Sequence, residues 1–217
     1  MDVETLINTY PYLYHMAESG SWDSIREHGL LSTSALLDRH RVSGAQRTPY
    51  ESIHRPEKIE LVSPHFPRTI LRDQKPMNDT RLEKCLEDGL CPRDWYELLN
   101  GKVFFWVSKK RLLTLLSARA YRGHEHDVIK LRTEPMVRRY VDQISLCHMN
   151  SGNTFPYPHK RGRDLFRSIG EYPAKSSGRP AKEVVELVVE YAVTDIREYA
   201  VSVSRMRAGE VLGELAV

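Results

Sequence analysis

Two side chains near opposite ends of this sequence could together handle a sugar and a developing positive charge. His15 ends the aromatic run Tyr12-Leu13-Tyr14. An imidazole at a strand end can donate to or accept from a sugar hydroxyl, and the Ser32 hydroxyl, just beyond the next helix, can face the same pocket. Spacing alone favours a plainer role for His15, satisfied by a neighbouring backbone carbonyl. Glu186 lies within Val184–Val193, where Glu186 and Glu190 alternate with Val185, Leu187, Val189 and Tyr191. That alternation favours the solvated face of an edge strand. A partly desolvated carboxylate among such apolar neighbours would instead stabilise a cationic transition state.

Two basic segments add further chemistry. His148–Arg167 interleaves Phe155 and Tyr157 with Lys160, Arg161 and Arg163, following Asn150-Ser151-Gly152-Asn153-Thr154. Rings for stacking and cations for phosphates are what a single-stranded nucleic acid requires, although an ordinary solvated basic loop has the same composition. Arg68–Lys75 offers Arg68, Arg72 and Lys75 to a phosphate or pyrophosphate, or to salt bridges within a loop. His124 and His126 have no partner cluster, so no metal is expected. The sequence contains no phosphate-binding P-loop, dinucleotide-binding glycine turn or Gly-x-Ser-x-Gly elbow.

The elements that must position these groups follow from local pattern. Tyr12–Met16 reads as a strand, and Ser21–Gly29 as a helix with Ser21 at its N-cap and Gly29 at its stop. Arg39–Pro76 reads as loop with a short strand at Lys58–Val62. Thr80–Asp88 and Pro92–Leu99 form a helical insert over about 77–100. Val103–Val107 is a strand, and Lys109–Tyr121 a helix that buries its leucines. Val128–Leu131, a helix at Glu134–Val141 and Ile144–Cys147 follow. The loop from Met149 to about Pro180 carries a short helix at Asp164–Ser168, and Val184–Val193 and Tyr199–Val203 are the closing strands. Strands interleaved with short helices, ending in a strand-rich segment, predict an α+β fold with a mixed sheet.

Composition bounds the rest. The chain has 217 residues, 41% hydrophobic and 28% charged, which suits one domain over residues 1–217 with a sizeable core. Its 32 basic and 29 acidic residues leave a net charge of +3, which argues against a surface that is basic everywhere. The three cysteines, Cys85, Cys91 and Cys147, have neither zinc-finger nor C-x-x-C spacing and read as reduced thiols. With no secretory leader pattern and no apolar run approaching about 18 residues, a cytoplasmic protein without membrane spans is expected.

Taken together, these segments resemble the ADP-ribosyltransferase superfamily, and within it most closely the DarT-type enzymes that modify bases in single-stranded DNA. Tyr14-His15-Met16, Ser24-Ile25 and Gly29-Leu30-Leu31-Ser32 are similar to that family's Tyr-His strand, helix and Gly-Leu-Leu-Ser segment. Val103–Trp106 resembles its central aromatic strand, Asn150–Thr154 its Gly-Asn loop, and Glu186-Leu187-Val188-Val189 the strand bearing its catalytic glutamate. The insert between Arg72 and Asn100, and Ser151 where an Asp is usual, depart from that pattern. Phe66-Pro67-Arg68, Arg72-Asp73-Gln74 and Val103–Trp106 are also similar to segments of an uncharacterised bacterial family.

The resemblance implies an ADP-ribosyltransferase-like mixed or antiparallel β core with a split sheet, short helices and the helical insert. It implies NAD as substrate, with no metal. The catalytic residues would be Glu186, with Glu183 as the competing acid, and Arg72. His15, Ser32, Phe105 and Trp106 would hold NAD, and Asn153, Phe155, Tyr157, Arg161 and Arg163 would bind single-stranded DNA or RNA as acceptor. A toxin role, with an antitoxin or a hydrolase that reverses the mark, is a further implication. The alternatives are a protein or small-molecule acceptor, an RNA 2′-phosphotransferase, or a nucleic-acid-binding module without turnover.

Overall fold

A computed structural model describes residues 1–217. Helix α1 (Val3–Thr9), whose Thr5 amide is capped by the Asp2 carboxylate at 2.7 Å, leads into strand β1 (Tyr12–Glu18). Helix α2 (Trp22–His28), β2 (Leu30–Leu31), α3 (Thr33–Arg39), α4 (Thr48–Glu51) and a hairpin of β3 (Ile59–Ser63) and β4 (Phe66–Leu71) follow. Helices α5 (Asp79–Glu83) and α6 (Pro92–Asn100) precede β5 (Lys102–Trp106) and α7 (Lys109–Leu116). Then come β6 (Glu125–Arg132), α8 (Thr133–Tyr140), β7 (Ile144–Cys147), β8 (Arg167–Ser168), β9 (Glu186–Glu190), β10 (Ala192–Val193), β11 (Ala200–Arg207) and β12 (Glu210–Leu215).

Eight strands form one sheet in the order β12-β11-β6-β1-β5-β9-β7-β8. Every neighbouring pair is antiparallel, so the fold is α+β with an antiparallel sheet and not a mixed one. The two halves of the sheet join weakly. β1 pairs with β6 from Tyr12 opposite Arg132 through Glu18 opposite His126, yet it meets β5 only at Tyr14 opposite Trp106. Beside that single pair, the His15 imidazole Nδ1 lies 2.8 Å from the Phe104 carbonyl, taking the place of a backbone partner.

Alternation along the strands divides the core between the two faces of the sheet. One face buries Leu13, Phe105, Ile129, Leu131, Leu187 and Val189 against α1, α2 and α8. The other carries two clusters. Trp95, Tyr96 and Leu99 of the insert pack with Cys147, and Leu112 and Leu116 of α7 pack with Met16, Val128 and Met206.

Local differences from the sequence reading have identifiable causes. Ser21 makes no side-chain cap; the α2 N-terminus is held by the fully buried Asp127 of β6, which accepts from the Gly20 and Trp22 amides at 2.9 and 3.2 Å and pairs with Arg205. The expected strand Val184–Val193 breaks at Tyr191, whose φ is +66°, so that β10 turns away to pair with β2. The strand expected at Lys58–Val62 is β3, and within the expected loop it pairs with the unexpected β4; Pro67 within β4 is tolerated because that hairpin is a two-stranded sheet of its own. Helices α5 and α7 end at Glu83 and Leu116, short of the expected Asp88 and Tyr121; the helix expected at Asp164–Ser168 is a single 3-10 turn at Arg163–Leu165 followed by β8; and α1, α3, α4 and β12 lie outside the expected elements. No helix is long and apolar enough to cross a membrane.

Candidate active site

The seam between β1 and β5 opens into a cleft of about 430 Å³, lined by residues from both halves of the sheet, the α2–β2–α3 segment, the β4 end of the hairpin and Asn150–Gly152. His15, Ser32, Arg72, Phe105, Trp106 and Glu186 all border it. Chain order separates His15 from Glu186 by most of the sequence, and the sheet order brings their strands to either side of β5.

Glu186 begins β9, an interior strand between β5 and β7, and is only 4% exposed, so it does not occupy the solvated edge-strand face that alternation suggested. Its two carboxylate oxygens share the Ser151 amide, at 3.3 and 3.2 Å. Burial raises its pKa to about 7, opposed by the Ser151 contact and the nearby Arg161 charge. A carboxyl titrating there is half ionised near neutrality, which suits a group that must be anionic toward a developing cation. The Ser151 hydroxyl, buried beside it, has no hydrogen-bond partner. Glu183, the competing acid, is exposed and pairs with Arg111 at 2.6 Å, away from the cleft.

His15 is held neutral. Burial, with the Arg72 charge adding to it, lowers its pKa to about 4 against the raising effect of its Phe104 contact. The carbonyl-satisfied arrangement and a place in the cleft wall are therefore both realised, since only Nδ1 is used by Phe104. Arg72 donates to the Met16 carbonyl at 3.0 Å and lies over the Tyr121 ring at 5.2 Å, while the Tyr121 hydroxyl donates to the buried Asp73 at 3.2 Å. The Ser32 hydroxyl oxygen accepts the Ala35 amide at 3.1 Å and so caps α3. Phe105 is 1% exposed and backs the His15 ring edge-on at 5.9 Å, which leaves Trp106 and Phe104 as the more open aromatic wall.

The acceptor set divides. None of Asn153, Phe155, Tyr157, Arg161 and Arg163 borders the cleft, although Asn150–Gly152, which lead into their loop, do. Tyr157 is 76% exposed and Phe155 is exposed beneath the Arg81 guanidinium, 4.1 Å from its ring centre. Arg163 is exposed as well. The Asn153 side chain accepts the Phe155 amide at 2.8 Å and shapes the loop. Arg161 corrects the sequence reading: it is 1% exposed and donates to the carbonyls of Ser151, Asn153 and His159, which leaves it unable to meet a solvent-borne phosphate.

Several cleft residues escaped the sequence reading. Arg55 is buried and donates to the Arg72 carbonyl at 3.2 Å and the Asn100 side chain at 2.9 Å, with burial lowering its pKa to about 10. Lys102 is buried, paired with Glu190 and set over the Phe166 ring at 5.3 Å. A lysine opening an apolar strand was a usable signal, whereas Arg55, in a loop with no period, offered none.

The chain belongs to the DUF7002 family, a family of unknown function, which matches residues 11–200. No curated protein and no solved structure matches it.

Proposed function

We propose that this protein is an NAD-dependent ADP-ribosyltransferase with an ADP-ribosyltransferase-like split sheet, and that its acceptor is a nucleic-acid base. The observation that carries the reading is the buried Glu186 carboxylate, held by the Ser151 amide in a cleft at the sheet seam that His15 also borders. A cleft of about 430 Å³ falls within the roughly 300–1,000 Å³ of small-molecule sites. Its lining suits a dinucleotide: Arg72 supplies positive charge for a pyrophosphate, Trp106 and Phe104 supply aromatic surface, and Glu186 accepts from a ribose hydroxyl.

In this reading the bond between the ribose anomeric carbon and the nicotinamide nitrogen breaks, and its electron pair leaves with neutral nicotinamide. The ribose becomes oxocarbenium-like, as in glycoside hydrolysis. Ionised Glu186 stabilises that charge through space and through the ribose hydroxyl. A base nitrogen then bonds to the anomeric carbon, and its proton passes to Glu186 or to water. His15, neutral at physiological pH, orients hydroxyls and adds no positive charge beside the cation. Exposed Tyr157 and Phe155, with Arg163 and Lys160 on the loop that continues from the cleft wall, support a single-stranded DNA or RNA acceptor.

The test is incubation of wild type and Glu186→Gln with NAD and single-stranded DNA or RNA oligonucleotides, followed by intact-mass analysis. A gain of one ADP-ribose in wild type alone is expected. An unchanged oligonucleotide with NAD consumed would replace the acceptor, and unconsumed NAD would overturn the enzymatic reading.

A further inference from the structure

Arg161 is the least exposed arginine or lysine in the protein, and nothing in the reaction described above uses it. Its Nη1, Nη2 and Nε donate to the carbonyls of Ser151, Asn153 and His159 at 2.8, 2.9 and 3.0 Å, which gathers the loop from 151 to 159 around one guanidinium. Trp95 adds a second donor to the Ser151 carbonyl at 3.4 Å, and the guanidinium carbon lies 5.8 Å from the Trp95 ring centre. Ser151 is thereby fixed on its carbonyl side. On its amide side, the same residue holds both oxygens of Glu186. The segment carrying Arg161 is itself anchored to the insert, since the Arg161 amide donates to the Cys85 carbonyl at 2.8 Å and its carbonyl accepts from the Glu87 amide at 2.9 Å.

A buried guanidinium without a contacting carboxylate is costly unless its charge is compensated nearby. Burial lowers the pKa of Arg161, opposed first by the Cys85 thiol, then by Cys147 and more weakly by Glu186, the one carboxylate among these groups. The other groups facing Glu186 are the Cys147 thiol on β7 and the Trp106 ring on β5, which stand opposite it in register. Burial, with the Glu186 charge adding to it, keeps Cys147 protonated, and Trp106 carries no charge. Lys102 is paired with Glu190 at the far end of β9. We infer that Arg161 is the positioning residue of Glu186: it clamps Ser151 so that the Ser151 amide stays on the carboxylate, and it serves as the remote counter-charge of that carboxylate. The inference rests on the reading of Glu186 as the catalytic carboxylate, but its physical content does not require turnover. It assigns to the insert a task in the site, because the backbone contacts of Cys85 and Glu87 are what hold Arg161 inward.

The experiment is a carboxyl NMR titration of Glu186, assigned with Glu186→Gln, in wild type, Arg161→Lys and Arg161→Met. The expected result is a Glu186 midpoint raised by about one pH unit in Arg161→Met, with a smaller rise in Arg161→Lys, which keeps the charge but loses the three-carbonyl fork. A folded Arg161→Met protein titrating Glu186 at the wild-type midpoint would overturn the inference. Should that variant not fold, wild type alone decides: the Ser151 amide and Arg161 side-chain N–H resonances are expected to follow the Glu186 titration with one shared midpoint, and their indifference to it would equally overturn the inference. If wild type consumes no NAD while these resonances remain coupled, the enzymatic reading fails and the clamp stands.

Discussion

Replacing Glu186 by Gln should stabilise the protein at alkaline pH and do little at acid pH, because burial places the ordinary carboxyl value of 4.5 at about 7 in the folded state. The difference corresponds to about 3 kcal/mol against the ionised form at ~1.4 kcal/mol per pH unit. A folded-state value raised above the unfolded one means that the stability is fully present below 4.5 and is lost as pH rises through 7. Glutamine keeps an oxygen to accept the Ser151 amide and has no charge to desolvate. Relative to wild type, Glu186→Gln is therefore expected to gain almost nothing near pH 4, about 1–1.5 kcal/mol near pH 5.5 and about 3 kcal/mol near pH 8. For a chain of this size, the last figure is a rise of about 6–12 °C in melting temperature. Urea unfolding of both proteins across that range provides the measurement. Parallel stability curves, or a glutamine variant weaker near pH 8, would refute the argument that Glu186 is held in a desolvating site.

Other consequences follow from the same geometry. NAD turnover in wild type should rise with pH through about 7 as Glu186 ionises and then level off, whereas a rate that falls over that interval would assign the carboxyl the role of an acid. Gly29→Ala should cost about 2 kcal/mol or more in urea unfolding, since Gly29 has φ +87° and an added Cβ would lie 2.6 Å from the Thr194 Cα; a neutral result would contradict the close β2–β10 contact. Tyr157→Ala should weaken single-stranded DNA or RNA binding by about 1–3 kcal/mol in a fluorescence titration and leave the melting temperature unchanged, because the ring is 76% exposed.

The types of the cleft residues were legible in the sequence, and their environments were not. His15, Ser32, Arg72, Trp106 and Glu186 could be selected by residue type and by resemblance, and all border the cleft. Alternation along Val184–Val193 describes two faces but not the neighbours, so it could not show that β7 would pair with β9 and make Glu186 interior. Arg161 misled for a related reason: in sequence it belongs to a basic run, and only carbonyls supplied by Ser151, Asn153 and His159 after the loop closes make its burial tolerable. Gly29 at the end of α2 was readable as a helix stop, which is local, but its close approach to Thr194 was not. Asp127 as the distant cap of α2 was not, since its contact with Gly20 and Trp22 spans more than a hundred residues.

The seam explains why so much of the site lies in backbone that does not pair. A continuous β1–β5 ladder would consume the amides and carbonyls of both strands and leave no cleft; a single pair at Tyr14 and Trp106 keeps the halves in register while freeing the surface between them. The His15 contact with Phe104 satisfies one exposed carbonyl at the opening, and the Arg72 contact with Met16 satisfies another. Both use side chains that border the cleft, so the groups that close the open ladder are also those placed to meet a ligand. The stabilisation missing at the seam has to come from either side of it. β6 pairs with β1 and β11 with β6 through long antiparallel registers, and β9 locks β5 from Lys102 opposite Glu190 to Trp106 opposite Glu186. Two well-paired halves therefore hold a weakly paired centre, and the desolvated Glu186 sits where the rigid half meets the opening.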